Sequence, residues 1–293
     1  MKKRVREVSL FVLGLLIFLN ILVWLAVYEL NKPQLLEVNF FDVGQGDAIF
    51  IETPSRHQIL IDGGPGPLIL EKLAQSLPFW DRTIDLIVLT HPEHDHLAGL
   101  IEVLKRYKVE NILWTGVLRD TAEYKEWQRL IRDETAEIFI AEAGQKIILS
   151  KPDINNFVEI LYPFENLEGQ EFKNSNNTSI VAKLIFGENS FLFTGDAYKS
   201  VEKKLVDKEI NLTSDVFKVG HHGSKTSNSE EFIEKVSPEI AVISAGQDNP
   251  YHHPHQETLD TLEKYGIKIL RTDKDGDIQI LCDSQSLKLK LKD

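Results

Sequence analysis

Apolar and polar positions follow a recurring order along most of this chain, runs that suit strands alternating with helix-spaced stretches. Val38 to Asp42 reads as an apolar strand, Gly44 to Gly46 as a turn, and Ala48 to Glu52 as a second strand. HQILID forms a third, stopped by Gly63-Gly64-Pro65. A helix is expected over Leu68–Leu77 and a buried strand over Ile84–Thr90. Leu97, Leu100, Ile101 and Leu104 then recur at helical spacing. The second half repeats this grammar without repeating its sequence. A hairpin, Ile180–Phe186 and Ser190–Thr194, turns at Gly187-Glu188-Asn189, and a helix near Ser200–Asp207 precedes the strand DVFKVG. SEEFIEKVS is a short helix with Ser229 as its N-cap, followed by strand PEIAVISAG and helix QETLDTLEKYG. Two closing strands, IKILRT and DIQILC, flank a hairpin turn at Asp273–Asp277; its glycine stands in the wrong place for a calcium loop. Tyr107, Trp114, Tyr124 and Trp127 read as helix and core packing. The class is α/β of the α+β kind, in layers.

The first thirty residues break the pattern. Lys2, Lys3, Arg4 and Arg6 precede the uncharged run Leu10–Val27, whose only amide is Asn20. At 1.5 Å per residue this run spans ~27 Å, close to a bilayer's hydrocarbon core. It is apolar on every side and lacks a small-residue cleavage site, which favours an uncleaved signal anchor over a signal peptide. The basic flank keeps the N-terminus cytoplasmic and exports the chain beyond Val27. The expected organisation is a cytoplasmic basic tail (1–8), a transmembrane anchor (9–28), a linker (29–35) and one extracytoplasmic domain (36–293).

The 33 Lys and Arg against 45 Asp and Glu give a net charge of −12. The anchor region holds four of the basic and two of the acidic residues, so the domain carries −14. Such a surface repels polyanions at long range. The single cysteine excludes an intramolecular disulfide and a multi-thiolate metal site. No Gly-rich phosphate loop appears, which argues against ATP hydrolysis.

Chemistry concentrates in the histidines. Eight of nine fall in three places: His91, His94 and His96; His221 and His222; His252, His253 and His255. Each group follows an apolar strand and precedes a helix, so shared membership of one sheet would bring the three to one edge. In HPEHDH the alternate positions His91, Glu93 and Asp95 can point inward from an extended turn, with His96 beside them. Imidazole and carboxylate without thiolate suit zinc, manganese or iron, with two ions where enough ligands meet.

HPEHDHLAG resembles the H-x-[HDE]-x-D-H motif of the metallo-β-lactamase superfamily. Further motifs resemble one branch, the competence-protein metal-hydrolase domain of ComEC/Rec2-like proteins. These are DVGQGD (Asp42–Asp47), IDGG (Ile61–Gly64), NNTS (Asn176–Ser179), LFTGD (Leu192–Asp196), KVGHHGS (Lys218–Ser224) and NPYHHP (Asn249–Pro254). The resemblance covers residues 36 to about 280. It implies a four-layer αββα sandwich with a two-metal site along one edge. By that resemblance His91, Glu93 and Asn177 fall near a first ion and Asp95 and His96 near a second, with Asp196 between them. One histidine of HHGS and one of HHPH complete the set; His253 fits the latter, and His221 is taken before His222 because it follows Gly220. Asp95 and Asp196 are the catalytic candidates. Asn177, Ser179, His222, Ser224, Lys225, Tyr251 and His255 are the candidates for holding substrate, although the NNTS, Ser224 and Lys225 residues equally suit turns and caps. Asp62 reads as an anchor of the metal loop, and Asp47 as either a turn residue or a substrate-facing group. Glu93 and the Asn-Asn pair put oxygen where relatives put nitrogen. This moves the expected cofactor, one or two divalent ions, from Zn2+ toward Mn2+ or Mg2+.

The resemblance implies a phosphodiesterase or nuclease at the cell membrane, linked to DNA uptake. Its partners would be a phosphodiester such as single-stranded DNA, the lipid bilayer through residues 9–28, and a separate channel protein. The competing expectations are hydrolysis of another ester, lactone or amide, and a non-catalytic domain that holds metal.

Overall fold

The structure, a computed structural model, describes residues 2–30, 35–149 and 156–291. Most of the expected linker, 31–34, lies outside the described residues. The chain divides into two compact units, Met1–Gln34 and Leu35–Asp293.

The first unit is one helix, α1 (Lys2–Leu30). Its stretch Arg6–Leu25, of mean hydropathy 2.7, is long and apolar enough to cross a bilayer.

The second unit opens with β1 (Leu36–Phe40), β2 (Ile49–Glu52) and β3 (Gln58–Ile61). Helices then separate strands: α2 (Leu68–Ser76), β4 (Thr83–Leu89), α3 (His94–Leu104), β5 (Lys108–Trp114), α4 (Ala122–Asp133) and β6 (Glu137–Ile140). Next come β7 (Lys146–Ile148), β8 (Phe157–Tyr162), β9 (Val181–Phe186), β10 (Asn189–Phe193), α5 (Lys199–Asp207) and β11 (Val216–Lys218). The chain closes with α6 (Glu230–Val236), β12 (Ile240–Ile243), α7 (Gln256–Lys264), β13 (Lys268–Arg271), α8 (Thr272–Asp275), β14 (Ile278–Cys282) and β15 (Leu287–Leu291). Among the described residues the strands form two sheets, ordered β15-β14-β1-β2-β3-β4-β5-β6 and β13-β12-β11-β10-β9-β8-β7.

The inner strands are apolar on both faces because both faces are covered, while the edge strands β6, β7 and β15 are largely exposed. Leu36, Val38, Phe40, Ile59, Ile61 and Val88 of the first sheet meet Phe191, Phe193, Val216 and Val242 of the second in a core between the sheets. The alternate residues Phe50, Leu60, Ile87 and Leu89 face α2, α3 and α4 around Trp127. Leu192, Phe217, Ala241 and Ile243 face the helices carrying Val201, Leu205, Phe232 and Leu262. Period-2 alternation with two apolar sets therefore gives four layers, αββα. Tyr107, Trp114, Tyr124 and Trp127 are buried in the helix-side core, as packing requires.

Several local expectations need correction. The histidine groups do not follow strands of one sheet: β4 lies in the first sheet, β11 and β12 in the second, and the groups meet across the top of the sandwich. Asp273–Asp277 is no hairpin turn. Arg271 ends a strand of the second sheet and Ile278 begins one of the first, so α8 carries the chain between sheets. A third closing strand, β15, pairs antiparallel with β14. Ser229 stands at the N-cap of α6, but its hydroxyl caps nothing. The backbone N–H groups of Asn228 and Ser229 donate instead to the carboxylate of Glu202, buried on α5. Ser229→Ala should therefore change stability by less than about 0.5 kcal/mol, whereas Glu202→Ala, which orphans one buried and one half-buried donor, should cost about 2 kcal/mol in a urea unfolding titration.

Candidate metal centre

The polar loops at the upper ends of both sheets converge. The HPEHDH segment is not an extended turn: α3 begins at His94, so Asp95 and His96 occupy its first turn, while His91 stands two residues beyond the end of β4. The loop after β3 holds that helix end in place. Gly63 N–H donates to His96 O (2.9 Å) and Gly99 N–H to Gly64 O (2.9 Å). Side chains are excluded here, because a Cβ on Gly99 would lie 1.8 Å from Gly63 O.

Asp62, the expected anchor, does this through side-chain bonds as well. Its Oδ1 accepts from Thr90 N–H (2.8 Å), and its Oδ2 from Thr90 Oγ1 (2.6 Å) and the His96 Nδ1 (2.7 Å). Since the Thr90 hydroxyl proton is committed to Asp62, its lone pair is free for His91 Nδ1 at 3.1 Å. One buried carboxylate thus orients two imidazoles, each with Nε2 turned inward.

The second sheet supplies the opposite wall. His221 and His222 both adopt left-handed backbone, φ 49° and 54°, an arrangement that side chains other than glycine rarely take and that clusters at functional sites. Both rings turn toward the site. His222 is buried, its Nδ1 2.9 Å from Ser244 O, and its Nε2 lies 3.3 Å from Asp95 Oδ2 and 3.5 Å from Asp196 Oδ2. His221 holds Thr226 Oγ1 with Nδ1 (2.9 Å), and its Nε2 lies 3.6 Å from Asp196 Oδ2. Asp196 is central, with His96 Nε2 3.4 Å from Oδ1 and His91 Nε2 4.0 Å from Oδ2. Its loop is fixed by Asp196 N–H donating to Ser179 Oγ (3.2 Å) and His221 N–H to Gly195 O (3.0 Å).

Ligand atoms of Asp95, His96, Asp196 and His222 all lie within 4.8 Å of one another. Among the described residues, the inward Nε2 atoms of His91, His96 and His222 and Oδ1 of Asp196 are buried without a hydrogen-bond partner. Convergent buried lone pairs with nothing to bond are costly unless a cation fills the space between them. The residues present therefore fit a divalent ion, with imidazole nitrogen and carboxylate oxygen as donors.

The electrostatics show how strongly the carboxylates call for positive charge here. Burial would lower His96 and His222, but Asp196, with Asp62 beside the one and Asp47 beside the other, holds both well above the ordinary imidazole range, so a divalent ion would take the place of these two protons. Burial alone would raise the Asp196 carboxyl, but His222 and His96 hold it well below the usual range. Burial opposes ionisation of Asp95 too, and His96 and His222 bring it down to about 2. Burial and the neighbouring His96 push His91 down to about 3, so it stays neutral with a lone pair available. Behind His222, buried Lys218 pairs with Asp47 at 2.7 Å, and Asp47 Oδ1 lies 3.3 Å from His222 Nδ1. Burial would raise Asp47; Lys218 and His222 outweigh it and keep it ionised. Asp47 thus faces inward to the ligand histidine rather than a substrate.

Other expected site residues fall elsewhere. Glu93 stands outside the convergent group: Arg119 donates to its Oε1 at 2.5 Å, and Ser175 Oγ bonds the same oxygen. Asn177 turns away, its Oδ1 accepting from Ser200 Oγ (2.8 Å), while Asn176 brings its amide 3.5 Å from His221 Nε2. Ser179 supports Asp196 from beneath. His253, by contrast, stays at the site as expected of the last histidine group. It is buried at the rim, 5.4 Å and 6.3 Å from the His221 and His222 ring centres, with Tyr251 exposed against it. Among the described residues its Nδ1 is also without a hydrogen-bond partner. Burial and the nearby His222 push His253 down to about 4. His255 Nδ1 accepts from Lys225 N–H (3.2 Å), and Ser224 Oγ bonds Thr226, so these residues brace the loop. A cavity of about 480 Å3 between the sheets, lined by Ile59, Leu86, Leu113 and Ile160 among others, holds none of these residues. Thr90 and Thr226 carry no mark in the sequence that would single them out as members of the site, and Asn176 and Lys218 stand in the NNTS and KVGHHGS motifs without a role that the sequence assigns.

The family model of the metallo-beta-lactamase superfamily matches residues 41–247. ComE operon protein 3 of Bacillus subtilis is 35% identical over 263 residues, covering 83% of this chain and 32% of its own length. Competence protein ComA of Neisseria gonorrhoeae is 34% identical, with the same two coverages. Recombination protein 2 of Haemophilus influenzae is 28% identical and covers 86% of this chain and 29% of itself. The chain thus spans about a third of the length of these relatives. Among solved structures, the metallo hydrolase Igni18 of Ignicoccus hospitalis superposes with a TM-score of 0.55 at 15% identity, covering 84% of this chain and 98% of that one. The Bacillus subtilis metallo-beta-lactamase fold protein YhfI gives 0.53 at 12% identity, with coverages of 80% and 95%.

Proposed function

The chain belongs to the metallo-β-lactamase superfamily, and from that premise we propose that it is a metal-dependent phosphodiesterase, acting on single-stranded DNA and held at the outer face of a membrane by residues 9–28. The observation that carries the chemistry is the set of inward, partnerless Nε2 and Oδ atoms around Asp196. Asp95, His96, Asp196 and His222 would hold one ion, manganese or zinc by the mixed donor set; His91, His221 and Asp196, with the Asn176 amide, line the place for a second. When bound, such ions supply Lewis-acid activation of water and of the phosphoryl oxygen. Asp95, whose side chain is 29% exposed, is positioned to take a proton from attacking water at Oδ2 and release it to solvent. Asp62, Thr90 and Ser244 keep the imidazoles in one tautomer, which holds their lone pairs in register through the reaction.

The substrate class rests on the names of two relatives, one a competence protein and the other a recombination protein. A domain charge of −14 disfavours tight duplex binding, which is why a single strand is preferred as substrate. In a role in uptake the duplex would be opened and threaded by a separate channel protein. The test uses the purified full chain in nanodiscs, with metal content measured and turnover followed on bis-p-nitrophenyl phosphate, single-stranded DNA and nitrocefin. Phosphodiester cleavage that needs manganese or zinc is expected. Turnover of nitrocefin alone, or tight metal binding with no turnover, overturns the proposal. In the same preparation His222→Ala should weaken metal binding by roughly 100-fold, and His221→Ala by less, since only His222 belongs to the tight four-residue group.

A further inference from the structure

Phe79 and Trp80 are the most exposed large hydrophobic side chains described in the second unit, at 82% and 73%. Their rings pack edge to face 4.8 Å apart, so the pair forms a single apolar knob. It is held rigidly. Leu77 beneath it is buried, Asp81 N–H donates to Pro78 O (2.9 Å), and Gln58 Nε2 donates to Asp81 Oδ2 (2.7 Å). A mobile loop tip would not have its base fastened at three points. A soluble surface gains nothing from two such rings in water, so the knob marks a contact.

Strand directions locate the knob. β1 is antiparallel to β2, β2 to β3, and β3 is parallel to β4, so β1, β3 and β4 run the same way. The metal centre follows the C-terminal end of β4, whereas Phe79 and Trp80 precede its first residue, Thr83. Leu36, the first residue of β1, therefore lies at the same edge as the knob, opposite the metal centre. In the sequence Leu36 follows Leu30, the last residue of α1, by only six positions.

Beside the knob the charge differs from that of the domain. Loops 53–57, 78–82 and 105–108 carry Arg56, Arg82, Lys105, Arg106 and Lys108 against the single acid Asp81, in a domain of net charge −14, while Glu134 before β6 and Asp283 after β14 stand farther along the same edge. Arg56, Arg106 and Lys108 have mostly exposed side chains and pair with Glu52, Glu102 and Glu110 at 2.6, 2.6 and 3.7 Å; such exposed pairs are weak enough for lipid phosphate to displace the carboxylates. Aromatic rings flanked by Lys and Arg are what a phospholipid interface selects: rings at headgroup depth and cations against phosphate.

We propose that Phe79 and Trp80 enter the lipid interface and, together with the basic loops, dock the lower edge of the sandwich on the bilayer. The metal centre is thereby turned away from the membrane, toward material arriving from outside. This rests on the membrane-anchored reading of residues 9–28.

The test is tryptophan quenching in the full chain, reconstituted in phosphatidylcholine–phosphatidylglycerol nanodiscs with acyl chains brominated near the headgroup or at mid-chain. Trp114 and Trp127 are buried in the core, so subtracting the Trp80→Phe signal isolates Trp80, and subtracting Trp24→Phe isolates the helix. Shallow bromine is expected to quench the Trp80 component by about half. Quenched Trp24 with unquenched Trp80 leaves the anchor standing and overturns the docking. Unquenched Trp24 overturns the anchor and the docking with it. A blue-shifted Trp80 that bromine does not quench assigns the knob to a protein surface, a partner or a second copy, and likewise overturns it.

Discussion

Asp196→Asn is expected to lower phosphodiester turnover by roughly a thousandfold, equivalent to ~4 kcal/mol of transition-state stabilisation. Asn keeps the size of the side chain and its backbone bond to Ser179, so the loop geometry survives. What disappears is the negative charge that lies within 4.0 Å of His91, His96, His221 and His222. Four imidazole-bearing residues and Asp95 would then surround a neutral amide, and cation affinity at the centre of the site collapses. Metal content by mass spectrometry and kcat/KM on bis-p-nitrophenyl phosphate should fall together. A variant that keeps more than about a tenth of wild-type activity would show that the cluster is not the reaction centre.

Gly99→Ala should be the more damaging change to stability, although it swaps a poor helix former for the best one inside α3. Propensity alone predicts a gain of about 1 kcal/mol. Against this, the new methyl carbon would sit 1.8 Å from the Gly63 carbonyl oxygen and 2.5 Å from its carbon, both main chain. Backbone on either side has nowhere to retreat, since Asp62 is tied to Thr90 and His96. A net loss of roughly 3 kcal/mol is expected, about 6–12 °C in a thermal melt for a domain of this size. Gly66→Ala is the control: no atom lies within 4 Å of its Cβ position, and its melting temperature should not move. Equal melting temperatures for the two variants would mean that α3 packs loosely on the IDGG loop.

Much of the fold was legible in the chain, and the limits have physical causes. Turn glycines and period-2 alternation placed most strands of the metal-centre half to within a residue or two. Sheet membership was not legible, because strands such as Ile240–Ile243 and Thr83–Leu89 are apolar on both faces and suit either sheet. This concealed that the histidine groups meet across two sheets and that α8 is a crossing. At the site, ligand types and their order were plain, but partners distant in sequence decided orientation. Glu93 is engaged by Arg119 and Ser175. The choice between His221 and His222 depends on two successive left-handed residues and on Ser244 and Thr226 behind them. Neither the strain nor the backing can be read from two adjacent identical letters.

The position of β1 has a consequence for biogenesis. It lies between β2 and β14, pairing Leu36 with Cys282 across almost the whole length of the domain. A polypeptide emerging from a translocon presents its first strand long before the strand that completes its hydrogen bonding. Until then β1 offers an open edge, and the loop that must close is long and slow. On the proposed topology, translocation of this domain should consequently lean on a holding factor, with productive folding delayed until β14 has been released.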